Sequence, residues 1–341
     1  MKCIRVEKRF AEELIFHLKD LNVIDDEYSF ASDEYFIYIP IKQNSVKYLD
    51  DYDIVEHNCE KIMNCSKKIR NLRDFLISKG YQNYVKSFDI VGNVAIVEIP
   101  QEINEKDVAE GILFIHKNIK SIYAKNSARQ GSFRLYDLRL IYGEDVEVVE
   151  HRENGLRFLV DIKNTFFSPR TGSERKYIAE YLSVYNFEKV MVFFAGIGPF
   201  CIVCAKYNKN TKFYGIELNE RAYELFKKNI ELNRLANVFA IHGDVKEKYK
   251  DFLDHNFDCV IMPLPKESHL FFNEAVSILK NEGLLIVYLF LPIENSKEKF
   301  NELLNANFPK VKKLQLLDFK EIDSYSPFES KFRIILKVYK N

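Results

Sequence analysis

Val190-Met191-Val192-Phe193-Phe194-Ala195-Gly196-Ile197-Gly198-Pro199-Phe200 is the stretch that decides the fold. An apolar run, Val190–Phe194, breaks at a short glycine loop and resumes as an apolar, helix-like segment. A buried strand that turns into a helix through glycines is the opening unit of a βαβ arrangement. Toward the C-terminus the rhythm repeats. Lys212–Leu218 reads as a second strand, and a helix from Glu220 carries Ala222, Leu225, Phe226 and Ile230 on one face. Val238–Gly243 is a third strand ending at Asp244, Phe257–Leu264 a fourth and Leu284–Leu291 a fifth, with an amphipathic helix between the last two. Such alternation predicts a mostly parallel sheet. Lys312–Phe319 and Arg333–Tyr339 have no helix between them and read as an antiparallel pair at the sheet edge. The expectation is an α/β domain with a seven-stranded sheet ending in an antiparallel strand.

Toward the N-terminus the pattern changes near Tyr177. A helix-like stretch, Lys8–Leu21, and an alternating strand, Tyr35–Ile41, make a small α+β module ending around Cys59. A helix near Ser66–Lys79 follows, then Phe88–Ile99 with Gly92-Asn93 as a hairpin turn signal. Lys106–Lys117 is helix-like, and Glu153-Asn154-Gly155 marks a second hairpin. We therefore divide the chain into 1–62, 63–165 and 166–341. No repeat of 20–50 residues and no low-complexity tract interrupts it.

At 341 residues and 47% hydrophobic composition the chain can bury more than one core. No apolar run reaches transmembrane length, and the opening MKCIRVEKRF lacks a signal-peptide core. The expectation is a cytoplasmic protein with no membrane partner. Net charge is zero, yet Lys61, Lys67, Lys68, Arg70 and Arg73 gather in one segment and Lys310, Lys312 and Lys313 in another. Either cluster suits a solvated face; either could also form a local phosphate-binding patch, which net charge does not exclude. Of the six cysteines, Cys201 and Cys204 form a CxxC on an apolar helix with no second ligand pair, so no metal is expected and buried thiols are. A disulfide between Cys59 and Cys65 stays open.

The chemistry gathers at the ends of the central strands. Ala195, Gly196 and Gly198 sit where the first strand becomes a helix, and glycines there admit close backbone approach to a ligand at free helix N–H groups. Glu217 ends the second strand, where a carboxylate can accept both ribose hydroxyls of an adenosine; Leu218 follows it. Asp244 and Val245 end the third, placed for an adenine edge. Pro263-Leu264-Pro265 ends the fourth. Any one acid alone could be a solvated loop carboxylate or a helix cap. The third glycine of a dinucleotide fingerprint is missing, since Gly198 is followed by Pro199, Phe200 and Cys201.

Three motifs together carry a resemblance: Phe166-Phe167-Ser168-Pro169-Arg170-Thr171-Gly172-Ser173-Glu174-Arg175, the FAGIGPF loop at Phe194–Phe200, and IMPLPK at Ile261–Lys266. From about Arg134 onward the chain resembles the archaeal tRNA (guanine-N1)-methyltransferases, which modify the purine 3′ of the anticodon, position 37. The resemblance implies a Rossmann-like class I methyltransferase domain behind two small α+β modules. It also implies S-adenosylmethionine as cofactor, and a tRNA partner whose outer corner the first module contacts. A monomer is expected. By the resemblance Glu174 is the general base and Arg134 stabilises developing charge. Phe166, Arg175, Ala195, Gly196, Gly198, Glu217, Leu218, Asp244, Val245 and Pro263 fall at the cofactor, and Arg170, Pro265 and Lys266 at the RNA. The residue types suit the reaction: ring nitrogen 1 of guanine is a poor nucleophile until it loses its proton, and charge then builds on oxygen 6. Without the motif, Glu174 could merely complement a helix N-terminus and Arg134 a strand-edge ion pair.

Two positions depart from the family pattern. Val192 stands where the family has an Asp near the methionyl amine, and Pro263 where it has an Asn. Proline offers no side-chain donor, which fits a larger base such as the tricyclic wybutosine precursor methylated by a dual-function branch. Two other readings are kept: a wybutosine-pathway aminocarboxypropyl transferase using the same cofactor, and a non-catalytic tRNA-binding relative.

Overall fold

The computed structural model describes residues 1–341 apart from 50, 61–68, 128–130, 132, 134 and 341. The chain divides into two compact units, Met1–Asp74 and Phe75–Asn341. In the first, β1 (Lys2–Glu7), α1 (Ala11–Asp20), β2 (Ala31–Ser32), β3 (Phe36–Pro40) and β4 (Ile54–Glu56) follow in order. The strands make an antiparallel sheet, β2-β3-β1-β4. Ile4, Ile39 and Ile41 close a small core against Leu18 of α1, so the helix folds where its apolar stripe finds the sheet. Cys3 and Cys59 are buried free thiols with sulfurs 3.3 Å apart; Cys65 lies outside the described residues. The helix expected over Ser66–Lys79 is observed as α2 (Leu72–Ser78), residues 66–68 again being outside the described set.

The second unit opens with β5 (Phe88–Val91), β6 (Val94–Val97), α3 (Glu105–Ile115), β7 (Ser121–Lys125) and β8 (Leu138–Tyr142), a sheet in chain order. Only β6 and β7 are parallel, and α3 makes the crossover between them. The Gly92-Asn93 hairpin forms as read. Gly92 has φ 58°, and a Cβ there would meet the Glu150 carbonyl oxygen at 2.3 Å. The turn therefore rests directly on the next hairpin, β9 (Val148–Glu153) and β10 (Leu156–Asp161).

The rest is an α/β domain with the Rossmann-like outline expected from the sequence. Its elements are α4 (Gly172–Ser183), β11 (Lys189–Phe193), α5 (Pro199–Tyr207), β12 (Lys212–Glu217), α6 (Glu220–Leu232) and β13 (Val238–His242). They continue with α7 (Val245–Lys248), β14 (Phe257–Met262), α8 (Phe272–Ile278), β15 (Leu279–Pro292), α9 (Ser296–Asn307), β16 (Lys313–Ser324) and β17 (Glu329–Tyr339). The strand order is β13-β12-β11-β14-β15-β17-β16, parallel through β15 and then antiparallel. Alternate residues serve opposite faces. Val190, Val192, Ile261, Ile286, Tyr288 and Ile335 join the core with α4, α5 and α6, while Met191, Val260, Met262, Val287 and Ile334 join that with α8 and α9. Strand order reverses between β11 and β14, and open α/β sheets bind ligands beyond the carboxyl ends of strands at such a point.

Three strands run longer than the sequence suggests. β15 begins at Leu279 rather than Leu284, β16 reaches Ser324, and β17 starts at Glu329. The added segments are polar, and β16 is an edge strand exposed along most of its length. Hydrophobic alternation fades on such edges although the hydrogen-bond ladder continues.

Candidate active site

The loop after β11 is shaped by backbone conformations that few residues tolerate. Phe194, Gly196 and Gly198 have φ of 55°, 58° and 86°. A Cβ on Gly198 would come within 1.9 Å of the Phe226 ring, so α6 can pack against this turn only because the residue is glycine. Pro199 then opens α5 at a position where no backbone donor is needed. The Ala195 N–H donates to the Ile216 carbonyl at 2.9 Å, fastening the loop to β12.

Glu217 sits at that junction, 9% exposed. One carboxylate oxygen accepts the Gly196 N–H at 2.7 Å and the other the Asn219 N–H at 2.8 Å. Burial raises its pKa, and the Asn219 and Gly196 amides pull it back down. Leu218 is half exposed beside it. Asp244 is exposed and caps α7, accepting the Lys246 N–H at 2.9 Å, with Val245 buried behind. Ala195, Gly196, Gly198, Glu217, Asp244 and Val245 thus share one edge of the sheet. At the end of β14, Ser268 holds the Pro263-Leu264-Pro265 turn by donating to the Met262 and Leu264 carbonyls at 3.2 and 2.5 Å. Pro265 accepts the Phe290 N–H at 3.1 Å, and Lys266 is exposed. Val192 is fully buried in β11 between Gly215 and Ile261.

The segment leading into α4 is held by its own ties. Buried Asp161 accepts the Asn164 N–H at 2.9 Å and the Arg221 Nε at 2.9 Å, turning the chain after β10. This sets Phe166 beside the glycine loop, its carbonyl 3.6 Å from where a Gly196 Cβ would be. Arg170 donates to Asp89 at 2.6 Å and to Ser87 at 3.1 Å. Arg175 is 2% exposed and pairs with Glu153, while also donating to Thr171 at 2.6 Å and the Ser168 carbonyl at 3.0 Å. These contacts fasten the FSPR segment to β5 and β9; among the described residues, the hydrogen bonds of both arginines run to that side and not to the glycine loop. Arg134 lies outside the described residues.

Glu174 is buried on α4. Its Oε1 accepts the Tyr288 hydroxyl at 2.7 Å, and Arg333 Nη1 donates to both carboxylate oxygens at 2.9 Å. Arg333 also donates through Nε to Asp318 at 2.8 Å and stacks over Tyr177 at 3.8 Å. Burial and the neighbouring Glu174 push the Tyr288 phenol well above its usual range, so it remains a donor.

Matches to known families cover nearly the whole chain: the tRNA methyltransferase 5 N-terminal domain over residues 3–49, the TYW2 N-terminal domain over 57–146 and the TRM5/TYW2 methyltransferase domain over 149–313. The tRNA (guanine(37)-N(1))-methyltransferase Trm5b of Pyrococcus abyssi is 32% identical over 343 aligned residues, 98% of each chain. The chain belongs to the Trm5 family of tRNA methyltransferases. A solved complex of aTrm5 with tRNALeu superposes with a TM-score of 0.68 at 30% identity, covering 99% of this chain and 100% of that one. Methanocaldococcus jannaschii Trm5 in complex with adenosine gives 0.63 at 30% identity over the whole of both chains.

Within this family fold, Tyr288, Asp318 and Arg333 escaped the sequence reading, as did Asp161. One signal was present: Arg333 is a lone charge within Phe332–Leu336, otherwise apolar, and a buried arginine requires a counter-ion. Among the described residues no cluster of metal-ligating side chains occurs, and no helix is long and apolar enough to cross a membrane.

Proposed function

We infer that this chain moves the methyl group of S-adenosylmethionine onto ring nitrogen 1 of the guanine beside the anticodon of tRNA. The observation that carries the reading is the Glu217 carboxylate locked between the Gly196 and Asn219 amides at the carboxyl end of β12, the strand paired with β11, in a Trm5-type chain. A buried acceptor there suits ribose hydroxyls, and the left-handed glycine turn leaves room for the sulfonium side chain. When bound, the cofactor supplies an electrophilic methyl. Val192 supplies no carboxylate for the methionyl ammonium.

The target base must leave its stack to be reached, and a loop base does so at least cost. Phe166, exposed beside the glycine loop, can replace part of the lost stacking. Glu174 takes the proton from ring nitrogen 1, and Arg134 stabilises the charge on oxygen 6. Arg170, Pro265 and Lys266 edge the route by which RNA would approach, and the first module contacts tRNA away from the anticodon. Labelled cofactor and unmodified tRNA test the assignment by nucleoside mass. The expected product is a guanosine heavier by one methyl at ring nitrogen 1. An aminocarboxypropyl adduct, or no transfer at all, would overturn it.

A further inference from the structure

We propose that Arg333, Tyr288 and Asp318 are positioning residues that hold the Glu174 carboxylate ionised and oriented for proton abstraction. The inference rests on Glu174 being the base. Tyr288 follows Val287, the register partner of Met262, and so stands level with Pro263 at the end of β14. Its ring is also 5.7 Å from Phe200, in the first turn after the glycine loop. The cluster therefore belongs to the cofactor edge of the sheet.

Arg333 occupies a position where an apolar residue would pack, between Phe332 and Ile334 in a strand buried on both faces. Burying an ion pair is weak evidence of stabilisation, because desolvation offsets the attraction. The hydrogen bonds point to another use. Glu174 Oε1 accepts two donors, Tyr288 and Arg333, whereas Oε2 accepts one, from Arg333. A carboxylate has about four acceptor directions, so Oε2 is the oxygen with more capacity for a further N–H. In the reaction the proton on ring nitrogen 1 goes to Oε2. The nitrogen lone pair bonds the methyl carbon, and the carbon–sulfur electrons leave on sulfur.

Asp318 makes this tolerable. Once Glu174 is neutral, Arg333 still has a carboxylate partner, so no buried cation is stranded. The cluster passes from net negative to neutral. Desolvation opposes the charge of Arg333, but Glu174 and Asp318 more than offset it. Among the described residues, Tyr177 lies under the Arg333 guanidinium, Lys331 over the Tyr288 ring and the buried Cys204 thiol behind it, and Lys320 is the register partner of Arg333 on β16. Burial raises that thiol, which keeps it uncharged.

The test is the pH dependence of single-turnover methylation, alongside carbon NMR titration of the Glu174 carboxyl in the cofactor-free protein. Arg333→Met should move the acid limb and the NMR midpoint to higher pH, because the cation that favours the ionised carboxylate is gone, and Arg333→Lys should restore part of the shift. Asp318→Asn, at a more exposed site, should move both the other way and lower the plateau rate several-fold, because Arg333 then acts on Glu174 alone. A purely structural role would lower rates without moving either midpoint in opposite directions. Unmoved midpoints in both Arg333→Met and Asp318→Asn overturn the proposal. A wild-type rate in Glu174→Gln would instead remove Glu174 as base, while the NMR titration would still report whether Arg333 controls its charge.

Discussion

Two buried carboxylates face the same edge of the sheet and are held in opposite ways. Glu217 is held by backbone, through the amides of Gly196 and Asn219. Glu174 is held by side chains, through Tyr288 and Arg333, with Asp318 behind. Backbone donors are lost only to proline and carry no net charge, so the first arrangement makes a fixed receptor. The second is a charge network in which each partner changes the proton affinity of the next. A ligand-binding site calls for the former, and a group that must gain and lose a proton calls for the latter.

The largest effect should come from removing the base. Glu174→Gln is expected to lower single-turnover methylation roughly 10²–10⁴-fold, the range a positioned base contributes, while cofactor affinity by calorimetry stays near wild type. A matching loss of affinity would erase the division of labour between the two carboxylates.

Gly198→Ala tests the scaffold of the fixed site. The new Cβ would overlap the Phe226 ring on a left-handed backbone. Overpacking and strain together should cost about 2–4 kcal/mol in denaturant unfolding. An alanine variant as stable as wild type would mean that the loop and α6 can separate freely.

The two sites also differ in how far the sequence reveals them. Gly196, Gly198 and Glu217 lie within about twenty residues, and the strand–loop–helix pattern fixes their placement through local rules. The parallel strands were legible for the same reason: their apolar runs are continuous and bounded by turns. Glu174, Tyr288, Asp318 and Arg333 come from four elements across half the chain, and only the register of β15, β16 and β17, with α4 packed on that face of the sheet, brings them together. Sequence spacing carries no information about such cross-strand pairs, least of all where a polar edge strand hides its own limits.

Glu217→Ala should weaken S-adenosylmethionine binding about tenfold, since hydrogen bonds to an ionised acceptor contribute about 1.5–3 kcal/mol and water repays part of the loss. The wild-type affinity should also fall on acidification. The Glu217 pKa is raised by burial, so it gains its proton at a higher pH than an ordinary glutamate and then accepts hydroxyl donors less well. The sign for stability is opposite: folding is favoured by that proton, and the contribution fades as pH rises through the raised value. Calorimetry from about pH 8 to about pH 5 would check both. Affinity that stayed constant, or rose, would show that the ligand does not use this carboxylate.

The smallest effect expected is at His151, whose Nδ1 accepts the Gly92 N–H at 3.2 Å and whose ring meets the edge of Phe167 at 5.1 Å. Burial lowers its pKa, with Glu153 opposing and Arg175 reinforcing the shift. As an acceptor it must be neutral, so protonation both buries a charge and breaks the bond to the hairpin turn. The unfolded chain binds the proton first. Stability contributed by the neutral ring is therefore complete well above the ordinary histidine value and is lost as pH falls through that value toward the lowered one. Because the ring is partly exposed, the loss should stay below about 1 kcal/mol. His151→Gln keeps an acceptor for Gly92 without titrating. Its denaturation midpoint should accordingly vary less than that of wild type between about pH 7.5 and about pH 5.5. Equal pH dependence in both proteins would place the acid sensitivity elsewhere, and the β5–β6 turn would then owe its seat on β9 to Gly92 alone.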